Sequence, residues 1–308
     1  EPLTGAPIYS LYGNTKKPTI EMLKGVDALI FNMQDIGVRY YTYLSTLTYI
    51  METAAENNIP LWILDRVNPL GREVQGPVLD MQFASFVGMH PIPVRHGMTL
   101  GELAHMINGE GWLTNGFIPD LSVIKYKGKI DEKVRARVFN PPPSPNIPNL
   151  ETAWLYQGLC LLEGTNLSEG RGTETPFMLV GAPWLDSQKL FDKLEKTRLS
   201  LDDFELIQFT PKSMLSAKSP KYENQKCFGL QIHYLINPIE WTIQLLAIIN
   251  SQHPEQFRFL KSNFIDKLYG SDEFRFSIEK GKDFNQIIEQ FSIDEEEFLN
   301  KRKNYLIY

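Results

Sequence analysis

The sequence predicts an α/β protein with two domains, the first organised around a parallel sheet. Three observations carry this expectation. The chain has 308 residues, enough for about two domains of ordinary size. In its first third, short apolar runs alternate with segments at helical spacing. Near the middle, Pro141-Pro142-Pro143-Ser144-Pro145-Asn146-Ile147-Pro148 interrupts that pattern.

Residues 26–33 form an apolar run ending in Gln34-Asp35, and residues 61–64 form a second ending in Asp65-Arg66. Both read as strands buried on two faces. Between them Leu44, Leu47, Thr48, Ile50, Met51, Ala54 and Ala55 recur at helical spacing, and Asn57-Asn58 before Ile59-Pro60 supplies the stop. Strand, helix, strand implies a right-handed parallel unit. Residues 91–95 read as a third strand ending in His96-Gly97, after which Thr99 and Glu102 form a capping box for a helix over 100–108. Residues 121–126 close the sheet. Residues 127–137 are charged, and the proline-rich run Pro141 to Pro148 sustains neither a helix nor a central strand. The predicted division is therefore a first domain over 1–126, a linker over 127–149 and a second domain over 150–308. In the latter, helices are expected at 150–162, 187–197, 241–250, 284–291 and 294–305, with strands at 177–180, 205–209 and 229–235.

Composition excludes several function classes. With 43% hydrophobic and 22% charged residues the chain can build a substantial core. Its 31 Lys and Arg against 37 Asp and Glu give a net charge of -6, the wrong sign for a protein that neutralises a phosphate backbone. No apolar run reaches the ~18 to 20 residues of a membrane-spanning helix. Cys160 and Cys227 match no metal-binding spacing and read as two buried thiols, with a disulfide as the alternative. The opening Glu1-Pro2-Leu3-Thr4-Gly5 carries neither an initiator Met nor a signal peptide, so the expectation is a processed or cut piece whose export signal, if any, lies upstream.

Chemistry is expected where open α/β sheets bind ligands, at the carboxyl ends of the strands, which points to Gln34, Asp35, Asp65 and Arg66. Four groups of residues follow, each with a structural alternative. Asp35 precedes Arg39-Tyr40-Tyr41-Thr42-Tyr43, an acid and a base among aromatics, or else a helix cap with core tyrosines. Asp65-Arg66-Val67-Asn68 is a polar strand tip or a turn held by its own side chains. His96 is a site residue or a hydrogen-bonded structural histidine. The loop Glu163-Gly164-Thr165-Asn166-Leu167-Ser168-Glu169-Gly170-Arg171-Gly172-Thr173 is a solvated turn or a binding site. Its glycines would admit a ligand to the backbone, and Arg171 suits a carboxylate or phosphate. No phosphate loop, dinucleotide fingerprint, Gly-x-Ser-x-Gly elbow or His-Glu-x-x-His motif occurs, which disfavours nucleotide, esterase and zinc chemistry. Glycoside hydrolysis uses two carboxyl groups, for which Asp35, Asp65, Glu163 and Glu169 are available.

Taken in order, these motifs resemble a family. Ser10-Leu11-Tyr12-Gly13, Gln34-Asp35-Ile36-Gly37-Val38-Arg39-Tyr40-Tyr41-Thr42-Tyr43, Leu64-Asp65-Arg66-Val67-Asn68-Pro69-Leu70-Gly71, Pro93-Val94-Arg95-His96-Gly97-Met98-Thr99, Ser144-Pro145-Asn146-Ile147-Pro148, the loop 163–173, Gly181-Ala182-Pro183-Trp184 and Tyr305-Leu306-Ile307-Tyr308 are similar to consecutive motifs of the NamZ exo-β-N-acetylmuramidases. The resemblance implies a Rossmann-like domain paired with a second α/β domain, the active-site cleft lying between them. It implies a bacterial glycosidase of the cell envelope or exterior that releases N-acetylmuramic acid from the non-reducing ends of peptidoglycan fragments without an organic cofactor; no metal is expected either, since no metal-binding motif occurs. On this basis Asp35, Asp65 and His96 are the catalytic candidates. Arg39, Tyr41, Arg66, Asn68, Asn146, Glu163, Thr165, Asn166, Glu169 and Arg171 are the sugar-binding candidates. Arg171 is assigned to the lactyl carboxylate that distinguishes muramic acid from glucosamine. The resemblance also places the favoured catalytic acid in a Pro-Glu-His-Gly segment upstream of Tyr12-Gly13, a motif not found in these residues. A non-catalytic peptidoglycan-binding protein is therefore the alternative.

Overall fold

The computed structural model describes residues 4–13, 15–197, 202–282 and 284–308. Its first sheet is parallel, with strands β1 (Leu29–Phe31), β2 (Leu61–Leu64) and β5 (Leu121–Ile124) in the order β1-β2-β5. The helices α1 (Tyr43–Asn57) and α2 (Leu100–Gly109) cover one face, where Phe31, Leu61 and Ile63 pack with Leu47, Met51, Leu103 and Ile107. Asn58, left-handed at φ 53°, ends α1 by donating its N–H to the carbonyls of Ala54 and Ala55. Thr99 and Glu102 form the expected capping box at the start of α2.

Two strand expectations need correction. The strands are not buried on both faces: Ile30, Trp62, Leu64 and Ile124 all point to the other side and are 60%, 46%, 36% and 49% exposed. Side chains alternate along a strand, and no described element covers that side. The run 91–95 does not join the parallel sheet either. Only β4 (Pro93–Arg95) is a strand, paired antiparallel with β3 (Gln75–Val78) in a separate two-stranded sheet. Pro91 and Pro93 lack the N–H that a central strand must donate.

After the short helix α3 (Glu132–Arg137), α4 (Leu150–Leu159) opens the second region, capped by the Asn149 side chain on the N–H of Thr152. Three antiparallel strands follow in the order β6-β8-β7: β6 (Leu179–Ala182), β7 (Asp203–Phe209) and β8 (Cys227–Tyr234). Around them stand α5 (Ser187–Glu195), α6 (Pro238–Gln252), α7 (Phe264–Tyr269) and α8 (Glu273–Glu279). Cys160 and Cys227 are buried free thiols.

Two features bind the halves together. The loop after β1 inserts Ile36, Val38 and Tyr40 into the larger core, among Tyr156, Leu159, Phe177 and Ile239. In the other direction the two helices expected at 284–291 and 294–305 are one, α9 (Phe284–Arg302), and it packs on β3 and β4. Its Phe298 joins the core of the parallel sheet, Glu295 accepts the Gly76 N–H at 2.8 Å, and Arg302 donates to the Arg72 carbonyl at 2.8 Å.

Candidate active site

The loop following α4 is shaped by its glycines. Residues 160–164 tighten into a 3-10 turn that brings Gly164 so close to α7 that a Cβ would lie 2.6 Å from the Ile265 Cα. Gly170 and Gly172, at φ 79° and 82°, let the chain fold back over itself. Phe177 adopts φ 57°, a conformation a bulky side chain resists, and is held there by its N–H donating to the Glu169 carbonyl at 2.7 Å. The result is a cavity of about 400 Å³ whose walls include Glu163, Glu169, Arg171, Lys221 and Ser216.

Its charges are paired but not exhausted. Arg171 Nη2 stands 2.8 Å from Glu163 Oε1, and Lys221 Nζ donates to Glu169 Oε2 at 3.0 Å and to the carbonyls of Leu162 and Leu167. Arg171 Nε is buried without a hydrogen-bond partner, and the guanidinium lies 5.3 Å from the Phe177 ring centre. Burial pushes the Glu163 carboxyl above the ordinary glutamate range, Arg171 pulls it back, and the neighbouring Glu169 raises it again. A carboxyl group held in this balance suits a proton donor.

Asp35 and His96 form a second buried group. Asp35 Oδ2 accepts the Gly37 N–H at 2.6 Å and lies 3.6 Å from His96 Nε2, while its Oδ1 is buried with no partner. His96 Nδ1 accepts from the Met98 N–H at 3.2 Å, which assigns the proton of the neutral ring to Nε2, facing Asp35. An aromatic wall connects the two groups. The Tyr41 hydroxyl is held protonated by burial, by Tyr43 and by Asp35. Its ring centre is 6.4 Å from that of Tyr156, which stands 4.7 Å from Phe177, beneath Arg171. Asn146 reaches the rim, donating to the Ser216 carbonyl at 3.0 Å and leaving its own buried Oδ1 unpartnered.

Residues 1–151 match the family described as exo-beta-N-acetylmuramidase NamZ, N-terminal, and residues 154–308 match its C-terminal counterpart. The chain belongs to the NamZ family. It is 42% identical to the peptidoglycan beta-N-acetylmuramidase NamZ of Bacillus subtilis strain 168, across 99% of this chain and 73% of the relative. Two crystal structures of DUF1343 family proteins from Bacteroides fragilis share the fold. One is 38% identical with a TM-score of 0.83, the other 32% identical with a TM-score of 0.86, and each alignment spans 100% of this chain and 81% or 82% of the other.

Not all candidates reach the site of this NamZ-family chain. Asp65 is no free catalytic carboxylate: it accepts from Thr99 Oγ1 at 2.6 Å, the Gly101 N–H at 2.8 Å, the Arg66 N–H at 3.1 Å and the Tyr308 hydroxyl at 3.1 Å. Both oxygens are engaged at the N-terminus of α2, where the helix dipole favours an anion. Arg39 does not bind sugar. It is 1% exposed and ties Pro77 and Ile92 to Leu268 and Tyr269 through four carbonyls. Thr165 is buried and caps its own turn at the Leu162 carbonyl, and Asn166 pairs with the backbone of Gln256 and Arg258. Asn68 bridges the Met98 carbonyl and the Leu70 N–H, filling the space left by Gly37. Arg66 lies apart, exposed and bonded to Asn32.

Sequence reasoning missed Lys221, Ser216 and Tyr156. Lys221 follows the loop by 52 positions from Glu169 and sits in no motif, and Tyr156 reads as an ordinary core aromatic on α4. Among the described residues no group of three His, Cys, Asp or Glu side chains is placed to hold a metal, and no helix is long and apolar enough to cross a membrane.

Proposed function

We propose that the chain is an exo-β-N-acetylmuramidase, a glycosidase that releases N-acetylmuramic acid from the non-reducing end of peptidoglycan fragments. The carrying observation is the Glu163–Arg171 pair in the loop cavity, a carboxyl with raised proton affinity beside a guanidinium with an unused edge. Membership of the family and the activity named for the Bacillus relative support the same reading.

In this reading the lactyl carboxylate of the terminal sugar pairs with the free edge of Arg171, and Asn146 Oδ1 accepts from the acetamido N–H or a hydroxyl. Sharing Arg171 with the ligand weakens its hold on the Glu163 carboxylate, so binding of the correct sugar raises the proton affinity of Glu163 further. Asp35 with His96, joined through Tyr41, is the second acid–base group. The substrate assigns the protein to the cell envelope or its exterior, since that is where peptidoglycan lies.

A chromogenic aryl N-acetyl-β-muramide tests the proposal with the full-length protein. Release of the chromophore, with the corresponding glucosaminide turned over far more slowly, is the expected result. Cleavage of the glucosaminide alone would refute the assignment. Calorimetric binding of a muramyl disaccharide without turnover would instead establish a binding module.

A further inference from the structure

A cavity of about 620 Å³ opens between the loop Pro69–Glu73, the start of α4 and the end of β8, and shares no wall residue with the Glu163 cavity. Its volume is that of a small-molecule site. Consecutive residues of an extended chain point to opposite sides, so at the end of β4 Arg95 faces this cavity while His96 faces Asp35.

The walls carry two kinds of recognition. The Trp154 and Tyr234 rings are parallel to within 1°, their centres 6.4 Å apart, and Trp154 is fixed by donating its Nε1–H to the Leu235 carbonyl at 2.7 Å. Parallel aromatic faces with one ring 44% exposed suit the apolar face of a sugar. The second kind is cationic. The Arg95 guanidinium stacks 4.7 Å from the Trp154 ring centre, donates to the Leu70 carbonyl, and keeps a buried Nε with no partner. Its other contact is Glu73 at 2.9 Å, whose side chain is 76% exposed and free to swing into solvent. Arg135 adds a second guanidinium on the same wall. Burial lowers the proton affinity of Arg95, Glu73 offsets part of this, and repulsion from Arg135 lowers it further; two guanidiniums on one wall favour an anion between them. The exposed carboxylates of Glu132 and Glu151 at the rim can accept hydroxyl or amide protons of a sugar.

We propose that this cavity is a second, non-catalytic saccharide subsite, which stacks a sugar ring on the exposed Tyr234 ring, backed by Trp154, and takes the sugar's carboxylate on Arg95 and Arg135 in place of Glu73. The identity of that sugar as N-acetylmuramic acid rests on the muramidase reading; the subsite itself does not. Its role is to hold a glycan while the Glu163 cavity acts on a chain end.

The test weakens the first site with Arg171→Ala and titrates the protein calorimetrically with free N-acetylmuramic acid. One equivalent of binding is expected to persist. Adding Arg135→Ala should weaken it by about ten- to a hundredfold, the worth of a charge-assisted bond, and Tyr234→Ala by about two- to tenfold, the worth of a stacked ring; both residues line the cavity. N-acetylglucosamine, which lacks the carboxylate, should bind less tightly and ignore Arg135→Ala. In turnover assays Arg135→Ala should raise KM for polymeric glycan and leave kcat on the short aryl muramide unchanged. Absence of binding in Arg171→Ala, or binding indifferent to Arg135 and Tyr234, overturns the proposal. A wild type that fails to cleave the aryl muramide but shows the Arg135-dependent binding overturns the muramidase reading and leaves the subsite standing.

Discussion

Asp65, buried, and Glu163, half-buried, are acids in polar loops of the two halves of this chain, yet their surroundings give them opposite tasks. Asp65 meets four donors at the head of α2, so its charge is spent on the fold. Glu163 meets one guanidinium and one thiol at a cavity wall, in a setting that already contains Glu169. Burial raises the proton affinity of both. What separates them is whether any oxygen is left for a ligand, and position at a strand tip does not decide that.

The largest expected effect falls on Glu163. Glu163→Gln should lower kcat on the aryl muramide by about 10² to 10⁴-fold, the usual contribution of a positioned acid or base, while the protein still folds. A variant of near wild-type turnover would move the proton donor elsewhere. Asp65→Ala should do the reverse. Loss of a carboxylate serving four donors is expected to cost about 2 to 4 kcal/mol in denaturant unfolding, with turnover per folded molecule retained. If turnover vanished at unchanged stability, Asp65 would return to the catalytic set. Arg171→Ala should weaken a muramic-acid ligand by about 1.5 to 3 kcal/mol, as for one charge-assisted hydrogen bond. An equal loss for the glucosamine analogue in calorimetry would show that Arg171 does not read the lactyl group.

The smallest effect is in the pH dependence of stability. Because the folded Glu163 binds its proton more readily than the unfolded one, its stabilising contribution is present below the ordinary glutamate range and is lost as pH rises through the folded value. Glutamine has no such loss. The unfolding temperature of Glu163→Gln should therefore gain on that of the wild type as the pH rises from about 4 to about 8. Scanning calorimetry at the two pH values measures the gap, and a gap that shrinks contradicts the burial argument.

The same contrast shows what the sequence could convey. The parallel β1-α1-β2 unit, the Asn58 stop and the Thr99–Glu102 capping box were legible because each is written in local periodicity or a short motif. The fold-back of the loop 163–173 was legible through its glycines. Illegible were the quantities set by distant contacts. Nothing near Arg39 announces that its guanidinium will meet carbonyls 229 and 230 positions away. Asn166 reads as a sugar-binding amide until the backbone at 256–258 is seen to occupy it. The antiparallel pairing of β4 was signalled by Pro91 and Pro93, but a three-residue strand offers too little periodicity to outweigh the apparent repeat of strand, tip and helix.

Helix α9 and the residues after it have a consequence for how the protein is made. Phe298 fills the core of the first sheet, the N–H of Ile307 reaches Glu102, and the Tyr308 hydroxyl reaches Asp65. Domains commonly fold in order as they leave the ribosome. Here the half that emerges first must wait, its core and helix-capping network unfinished, until the last of these 308 residues has been synthesised.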